Sequence, residues 1–268
     1  MYKLIALDMD GTLLTSDKTI SSKTKDAIAA ARKQGVKVVL ASGRPLDGMK
    51  GSLRELGLTE QGEFVVYFNG SVVQEIGSGK VIHQATIDGR QAKQVAKLAE
   101  SLGLDCHAFS VEHGLITPRQ NEYTDIESTI NGVPVTEMAF DTLTDDHPII
   151  KAMIVGEPTK LTRAIEQIPA HLHNEFTIVQ SAPFFLEFLN LDSNKGVGVS
   201  AIAEFLGINQ SEVICVGDAE NDHHMIQYAR LGVAMSNAMP QTKQIADYIT
   251  TSNNEDGVAK VIEEFVLN

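Results

Sequence analysis

Residues 3–12 read KLIALDMDGT, an apolar run that ends in two acids, a glycine and a threonine. Such a run is typical of a buried parallel strand, and ligands of parallel sheets bind beyond the carboxyl ends of the strands. Asp8 and Asp10 stand at that end, where burying both carboxylates is costly unless a cation or a shared proton relieves their repulsion. Gly11 permits the sharp turn that lets both acids face one ligand. The stretch therefore predicts a parallel sheet with a charged site at one edge.

The alternation of strands and helices continues outward from this stretch. In the first third of the chain, the apolar spacing predicts a helix over 22–34 and strands over 36–41 and 64–68. In the last third it predicts strands over 212–217 and 231–235, with helices between and after them. This order indicates an α/β fold with a doubly wound, Rossmann-like parallel sheet.

The middle of the chain has a different pattern. The segments SVVQEI and KVIHQ flank Gly77-Ser78-Gly79, which is a hairpin signal. Helices mixed with short, antiparallel-looking strands follow. We therefore predict an inserted α+β domain over residues 83–189, and a core domain formed by residues 1–82 and 190–268.

Charge and composition exclude several classes of partner. The chain has 268 residues with 22 Lys+Arg and 35 Asp+Glu, a net charge of −13. Nucleic-acid binding needs a basic face, and anionic lipid attracts basic segments, so we expect no nucleic-acid partner and no membrane partner. A small phosphorylated ligand remains possible, because a metal and a few cations can reverse the sign of one pocket.

The location of the protein is predicted from two absences in the sequence. Cys106 and Cys215 form no metal-binding or disulfide pattern, which fits a reducing compartment. The N-terminus meets acids after a short apolar run, unlike a signal peptide, and no apolar run approaches membrane-spanning length. We expect a cytoplasmic protein that is a monomer or a homodimer.

Two further segments carry polar groups at the start of a predicted helix. Ser42-Gly43-Arg44-Pro45 follows the second strand, and its hydroxyl and backbone N–H groups suit phosphate oxygens. Taken alone it is only a turn with proline at the first helical position. Lys195 precedes the helix over 196–206, where it can neutralise a phosphate or hold a carboxylate ionised. Taken alone it is a solvated loop lysine.

Acidic residues gather at the end of another predicted strand. Gly217 to Asp222 reads GDAEND, with three acids in five residues. Carboxylates at this position suit Mg²⁺, which prefers hard oxygen ligands. The alternative is that the acids complement a helix N-terminus. The acids at residues 8 and 10 have a comparable alternative, a loop start or one arm of a calcium loop, although the full calcium-loop pattern is absent.

Taken together, these motifs resemble the haloacid dehalogenase (HAD) superfamily of phosphohydrolases. The order DxDGT, Ser, Lys and GDxxND covers essentially the whole chain. The position of the insert is similar to the type-IIB cap of the Cof-type branch. The segments FNG (68–70), SAP (181–183), GVAMSNA (232–238) and EDGV (255–258) are similar to the YidA-like sugar phosphatases.

The resemblance implies a Mg²⁺-dependent hydrolysis of small phosphorylated metabolites, with sugar phosphates as the expected class. Asp8 would form an aspartyl-phosphate, and Asp10 would be the general acid and base, with a pKa raised by neighbouring acids. The remaining implied roles form two sets. Phosphate binding falls to Met9, Ser42, Gly43, Lys195 and Asn221, and metal binding to Asp8, Asp10, Asp218 and Asp222.

Substrate specificity is expected from residues that face the pocket, and the candidates are Arg44, Asn69, Arg119 and Glu187. Glu187 is the strongest of these, because it is a charge inside the apolar strand FFLEFLNL. The alternative for Glu187 is the outward position of an alternating strand. His223 and His224, which depart from the family pattern, are expected to be a surface pair at a helix start.

Three rival functions remain. Residues 196–201 read GVGVSA and match a dinucleotide fingerprint, but Asp192 to Lys195 separate them from the preceding strand, and the acids of the first strand would have no role. A non-catalytic phospho-acceptor module would be spoiled by a second acid positioned to activate water. A sugar-phosphate phosphotransferase or phosphomutase uses the same phospho-enzyme, and assays of free phosphate against isomerised sugar phosphate separate it from a phosphatase.

Overall fold

The computed structural model describes residues 1–268. Its strands are β1 (Leu4–Leu7), β2 (Lys37–Ala41), β3 (Phe64–Tyr67), β4 (Val72–Glu75), β5 (Val81–Gln84), β6 (Asp105–Ser110), β7 (Gly114–Thr117), β8 (Val135–Glu137), β9 (Ile149–Val155), β10 (Thr177–Ala182), β11 (Phe185–Leu189), β12 (Val213–Gly217), β13 (Leu231–Ala234) and β14 (Tyr248–Ile249). Its helices are α1 (Ser22–Lys33), α2 (Lys50–Glu55), α3 (Gly89–Ser101), α4 (Glu122–Asn131), α5 (Pro158–Ile165), α6 (Lys195–Leu206), α7 (His223–Tyr228), α8 (Pro240–Ile245) and α9 (Gly257–Phe265). None of these helices has both the length and the apolar character needed to cross a membrane.

The chain forms two compact units. The base unit comprises Met1–Gln84 and Asn194–Asn268, and the inserted unit comprises Ala85–Ser193. The first division falls slightly later than the sequence indicates, because β5 continues to Gln84 and pairs with β4. The second falls at Asn194, whose side chain accepts a hydrogen bond from the Val197 N–H and so caps α6.

An eight-stranded sheet forms the middle of the base unit. Its order is β14-β13-β12-β1-β2-β3-β4-β5, with parallel pairing from β14 to β3 and antiparallel pairing at β4 and β5. Strand β1 lies between β12 and β2, and all four of its side chains are buried, as its apolar sequence requires. The predicted parallel α/β sheet is confirmed. The order of the strands brings the carboxyl ends of β12, β1 and β2 side by side.

Helices pack on this sheet through apolar faces. On one face, Val199 and Ile202 of α6 and Met225 of α7 join a buried cluster with side chains of β1 and β2. The predicted hairpin after β4 is also confirmed, since Gly79 N–H donates to the Glu75 carbonyl between antiparallel β4 and β5. Between β12 and β13, a 3₁₀ turn over Glu220–Asp222 continues as α7.

The inserted unit contains a six-stranded sheet with the order β10-β11-β9-β6-β7-β8. Its strands pair antiparallel except for β7 and β8, which are parallel. Helices α3 and α5 contribute Val95, Ala99 and Leu161 to a buried cluster that includes Ile154 of β9 and Phe188 of β11. This unit therefore has a hydrophobic core of its own.

Candidate active site

The turn after β1 is shaped by its own backbone and by Asp218. The carbonyls of Asp8 and Met9 accept hydrogen bonds from the N–H groups of Leu13 and Leu14 at 3.2 and 2.8 Å. Gly11 has a φ of +85°, and a Cβ added there would lie 2.4 Å from an oxygen of Asp218. Only glycine fits this position, because the turn must pass directly beside that carboxylate.

Lys195 joins two of the predicted acids inside the base unit. It is completely buried, and its Nζ lies 2.6 Å from Oδ1 of Asp8 and 2.6 Å from Oδ1 of Asp222. Burial by itself lowers the pKa of a lysine, but Asp222 and Asp8 hold the pKa of Lys195 well above its ordinary value. The lysine is therefore a fixed cation between the ends of β1 and β12.

Asp222 holds both this lysine and the loop that carries Asp218. Its Oδ2 accepts hydrogen bonds from the backbone N–H groups of Asp218 and Ala219 at 2.8 and 3.0 Å, while its Oδ1 contacts Lys195. A side chain at Gly217 would be impossible, since a Cβ there would lie 2.5 Å from the carboxyl group of Asp222. Because both oxygens of Asp222 already accept hydrogen bonds, its geometry suits positioning of the loop better than direct metal ligation.

The acidic group at this edge suits a divalent cation, with Asp8 and Asp218 as its side-chain ligands and Asp222 as their support. Carboxylate oxygens of Asp8, Asp218 and Asp222 lie within 4.8 Å of one another. Burial, followed by the charge of Asp222, raises the pKa of Asp8, and the same causes raise the pKa of Asp218 to about 6. Raised pKa values at neighbouring carboxyl groups indicate like-charge repulsion that a cation offsets. The donors are all oxygen, the set that hard divalent ions prefer.

Asp10 has a different electrostatic environment from the one expected. Nε and Nη2 of Arg44 donate to its two carboxylate oxygens at 2.8 and 2.7 Å, and Nζ of Lys18 donates to Oδ1 at 2.8 Å. Burial raises the pKa of Asp10, but the hydrogen bonds from Arg44 and Lys18 outweigh it, and the pKa lies below its ordinary value. The expectation that neighbouring acids raise the pKa of Asp10 is therefore wrong for this conformation.

Ser42 and Gly43 follow β2 beside this acidic edge. The Ser42 side chain is buried, and its Oγ accepts a hydrogen bond from the Arg44 N–H at 3.2 Å. The Ser42 carbonyl accepts a hydrogen bond from the Asn69 N–H at 2.9 Å. Backbone and hydroxyl groups of the Ser42 turn are thus held in place by the segment after β3.

Asn69 is buried and contacts both the Ser42 turn and the segment that carries Asn221. Its backbone is left-handed, with φ at +54°, as is that of Phe68 at +50°, and such conformations are uncommon for residues other than glycine. The Asn69 Oδ1 accepts a hydrogen bond from Nδ2 of Asn221 at 3.0 Å. Its amide also lies against Gly43, where an added Cβ would be 3.1 Å away. Asn69 therefore positions both the Ser42 turn and Asn221.

Two predicted specificity residues belong to the inserted unit and not to this cluster. Arg119 is largely exposed, and its Nη2 lies 2.6 Å from Oδ1 of Asp105. Glu187 is buried among the strands, where its Oε1 accepts a hydrogen bond from Nζ of Lys151 at 2.8 Å. Its Oε2 is buried with no hydrogen-bond partner. Glu187 thus neutralises a buried lysine.

The two histidines at the start of α7 differ in their exposure to solvent. His223 Nε2 lies 2.9 Å from Thr242 Oγ1, and its side chain is half-buried. His224 is exposed. Neither is among the clustered metal-binding groups of this unit.

Two functional neighbours of the acids were not singled out in the sequence. Thr12 donates its hydroxyl to Oδ1 of Asp218 at 3.0 Å, and Lys18 contacts Asp10. The position of Thr12 within DMDGT is a signal that could have identified it. Lys18 lies in a polar loop with left-handed φ of +59°, and nothing in the sequence distinguishes it from other loop lysines.

The chain is similar over nearly its whole length to known proteins. The model of a family described as haloacid dehalogenase-like hydrolase matches residues 5–262. A Bacillus subtilis protein named "Putative phosphatase YxeH" is 40% identical over 269 residues, covering 100% of this chain and 99% of its own. The Bacillus subtilis 5-amino-6-(5-phospho-D-ribitylamino)uracil phosphatase YcsE is 32% identical, covering 99% and 96%. The solved HAD subclass IIB sugar phosphatase BT4131 is 26% identical with a TM-score of 0.81, covering 98% of each chain.

Proposed function

The chain belongs to the haloacid dehalogenase-like hydrolases, and from this membership we propose that it is a phosphatase of small phosphorylated metabolites, with sugar phosphates as the substrate class. The observation that carries the proposal is the group formed by Asp8, Lys195 and Asp218 at adjoining strand ends. A carboxylate beside a fixed cation and further acids suits phosphoryl transfer, which depends on positioning and charge stabilisation.

Asp8 is the proposed nucleophile. One carboxylate oxygen attacks phosphorus as the bond to the leaving oxygen breaks, which leaves an aspartyl-phosphate. Lys195 holds Oδ1 of Asp8 and orients the carboxylate. The hydroxyl of Ser42 and the backbone N–H groups of Met9 and Gly43 are proposed to bind the transferring oxygens, together with Asn221.

Mg²⁺ is the proposed metal, because HAD hydrolases generally use a divalent cation and the acidic donors here are all oxygen. Side chains of Asp8 and Asp218 and the carbonyl of Asp10 would hold it. When bound, it offsets the repulsion between an anionic carboxylate and an anionic phosphate. Asp222 would support this site by fixing the Asp218 backbone and Lys195.

We expect activity to depend on the metal, with an affinity that rises with pH. EDTA should abolish phosphate release, and added Mg²⁺ should restore it. The pKa of Asp218 is about 6, so below that pH a bound proton must leave before the metal binds. The apparent Mg²⁺ affinity should therefore rise as the pH increases through about 6. Calorimetric Mg²⁺ titrations at several pH values measure this change.

The raised pKa of Asp218 also predicts how the stability of the metal-free protein depends on pH. Because the folded protein binds a proton at Asp218 more tightly than an unfolded chain, the metal-free protein loses stability as pH rises from about 4 to about 6. In EDTA at pH 7, Asp218→Asn should unfold at the same or higher urea concentration than wild type. A less stable variant would contradict the proposed repulsion at this site.

Asp10 is the proposed general acid and base. Its ionised state, held by Arg44 and Lys18, is ready to take a proton from the water that hydrolyses the aspartyl-phosphate. Donating a proton to the leaving oxygen requires Asp10 to give up its contact with Arg44. The phosphate of a substrate offers Arg44 an alternative bidentate partner, which makes this exchange feasible.

We expect Asp10→Asn to separate the two chemical steps. Steady-state turnover should fall by about 10²- to 10⁴-fold, because proton transfer by a positioned carboxyl is lost. With an aryl phosphate, whose leaving group needs little protonation, rapid mixing should show a burst of aryl alcohol close to one equivalent of enzyme. With an alkyl phosphate no burst should appear. Asp47→Asn, at an exposed acid outside the site, is the matched control; a burst with both substrates would refute the acid role.

The inserted unit is proposed to be the cap that selects the substrate. The support is the relative whose name gives a phosphorylated ribityl compound, and the structural neighbour named a sugar phosphatase. Exposed Arg119 is its charged candidate for substrate contact, with Arg44 and Asn69 in the base unit. Release of phosphate across sugar phosphates, polyol phosphates and nucleotides tests the class, and parallel detection of isomerised sugar phosphate tests the phosphomutase alternative.

A further inference from the structure

A second cluster of metal-binding side chains lies in the inserted unit. Glu112 and His113 form the turn between β6 and β7, and His147 ends the loop that leads into β9. One ligand atom from each of the three side chains lies within 4.8 Å of the other two. Glu112 and His113 are adjacent in sequence, but His147 lies 34 residues after His113, so the fold brings it to the other two.

One hydroxyl group organises all three residues. Ser110 Oγ lies 2.8 Å from Nε2 of His147 and accepts hydrogen bonds from the backbone N–H groups of Glu112 and His113, each at 3.1 Å. This contact orients the His147 ring, and Nδ1 can bind an ion in the tautomer that carries its proton on Nε2. The turn and the ring are thus fixed relative to each other before any ligand arrives.

The loop that carries His147 is itself held firmly. His147 is buried, with 8% of its surface exposed. The Arg90 N–H donates to the Asp145 carbonyl at 3.1 Å, and a Cβ added at Gly89 would lie 2.1 Å from the Thr144 carbonyl oxygen. Helix α3 therefore packs against this loop without space between them, which gives the cluster one rigid member.

The other two members have exposed side chains. The side chains of His113 and Glu112 are 40% and 59% exposed, and His113 Nε2 lies 4.0 Å from Oε2 of Glu112. The rings of His113 and His147 are parallel within 3°, with centroids 5.3 Å apart. Ligand atoms around a tetrahedral ion with bonds near 2.0–2.1 Å lie about 3.3 Å apart. Because the two rings are parallel, the lone pairs of their nitrogens do not converge on one point, so binding of an ion requires the exposed His113 ring to rotate.

We propose that Glu112, His113 and His147 bind a borderline divalent transition-metal ion of the Zn²⁺ class. Two imidazole nitrogens and one carboxylate oxygen form a ligand set typical of Zn²⁺, with water as the fourth ligand. Mg²⁺ and Ca²⁺ favour oxygen ligands alone, so this site and the acidic edge of the base unit select different metals. A bound ion would tie the β6–β7 turn to the loop before β9.

Calorimetric titration of the full-length protein with Zn²⁺ tests this proposal, with excess Mg²⁺ present to occupy the acidic site. Wild type should show one Zn²⁺ site. His113→Ala and Glu112→Gln change exposed side chains, and each should weaken Zn²⁺ binding at least about tenfold. His171→Ala removes an exposed histidine of the same unit outside the cluster and is the matched control, with no expected change.

The binding measurement is independent of phosphatase activity, so its outcome stands whether or not the proposed function holds. The site is supported if the two cluster variants lose affinity and the control does not. It is overturned if wild type binds no Zn²⁺ in the presence of Mg²⁺. It is equally overturned if His113→Ala and Glu112→Gln both bind Zn²⁺ within threefold of wild type.

Discussion

Asp8→Asn is expected to lower phosphate release from a generic aryl phosphate by about 10⁴-fold or more, because loss of a nucleophile removes the covalent step itself. The fold should persist. An asparagine retains the oxygen that accepts from Lys195, and burial already raises the pKa of Asp8, so a neutral group is tolerated there. Thermal unfolding should stay within a few degrees of wild type.

Two measurements make this prediction decisive. Acid quenching during turnover of a labelled substrate should trap the label on wild type and not on Asp8→Asn. Asp26→Asn, at an exposed acid of α1, should match wild type in both activity and labelling. A folded Asp8→Asn variant that keeps activity, or that still takes the label, would mean that another group attacks phosphorus.

Lys195→Met is expected to cost stability as well as activity. Removing the lysine leaves the carboxylates of Asp8 and Asp222 buried without the cation that now lies 2.6 Å from each. Breaking a buried ion pair in this way costs about 3–5 kcal/mol in free energy of unfolding. Urea denaturation in EDTA measures it, with Lys260→Met at an exposed position of α9 as the control, expected within about 0.5 kcal/mol of wild type.

A second substitution shows whether the stability loss in Lys195→Met comes from uncompensated charge or from lost packing. If uncompensated charge causes the loss, Lys195→Met with Asp222→Asn should recover part of the stability, since one buried carboxylate is removed. Added Mg²⁺ should also recover more stability in Lys195→Met than in wild type, because the ion replaces the missing positive charge. Failure of both to recover stability would show that the loss comes from packing of the lysine stem.

Sequence alone was sufficient for the sheet and for the gathering of acids at its edge. Apolar runs that end in DMDGT and GDAEND determine where strands stop, and parallel strands must present those ends at one edge. These are local patterns with a simple geometric consequence. The haloacid dehalogenase resemblance, now shown by the family match, rests on the same residues.

The sequence did not predict the direction in which individual side chains point. Whether Arg44 points to a substrate or to Asp10 depends on the fold of two separate turns, and the structure shows the pairing with Asp10. The charge of Glu187 within an apolar strand did not reveal that Lys151 lies on the neighbouring strand. Similarly, Asn69 has a left-handed backbone and contacts Asn221 and Gly43, which come from distant parts of the chain.

The division of the base unit into two segments affects the order in which activity can arise during synthesis. The ribosome makes Asp8 and Asp10 first and Lys195 and Asp218 only after the whole inserted unit. Until residues 194–268 emerge, β1 lacks its neighbour β12, and Asp8 lacks the cation that orients it. A nascent or truncated chain therefore lacks the group of Asp8, Lys195 and Asp218 that we propose for catalysis, and this group is complete only when residues 194–268 have been released and folded.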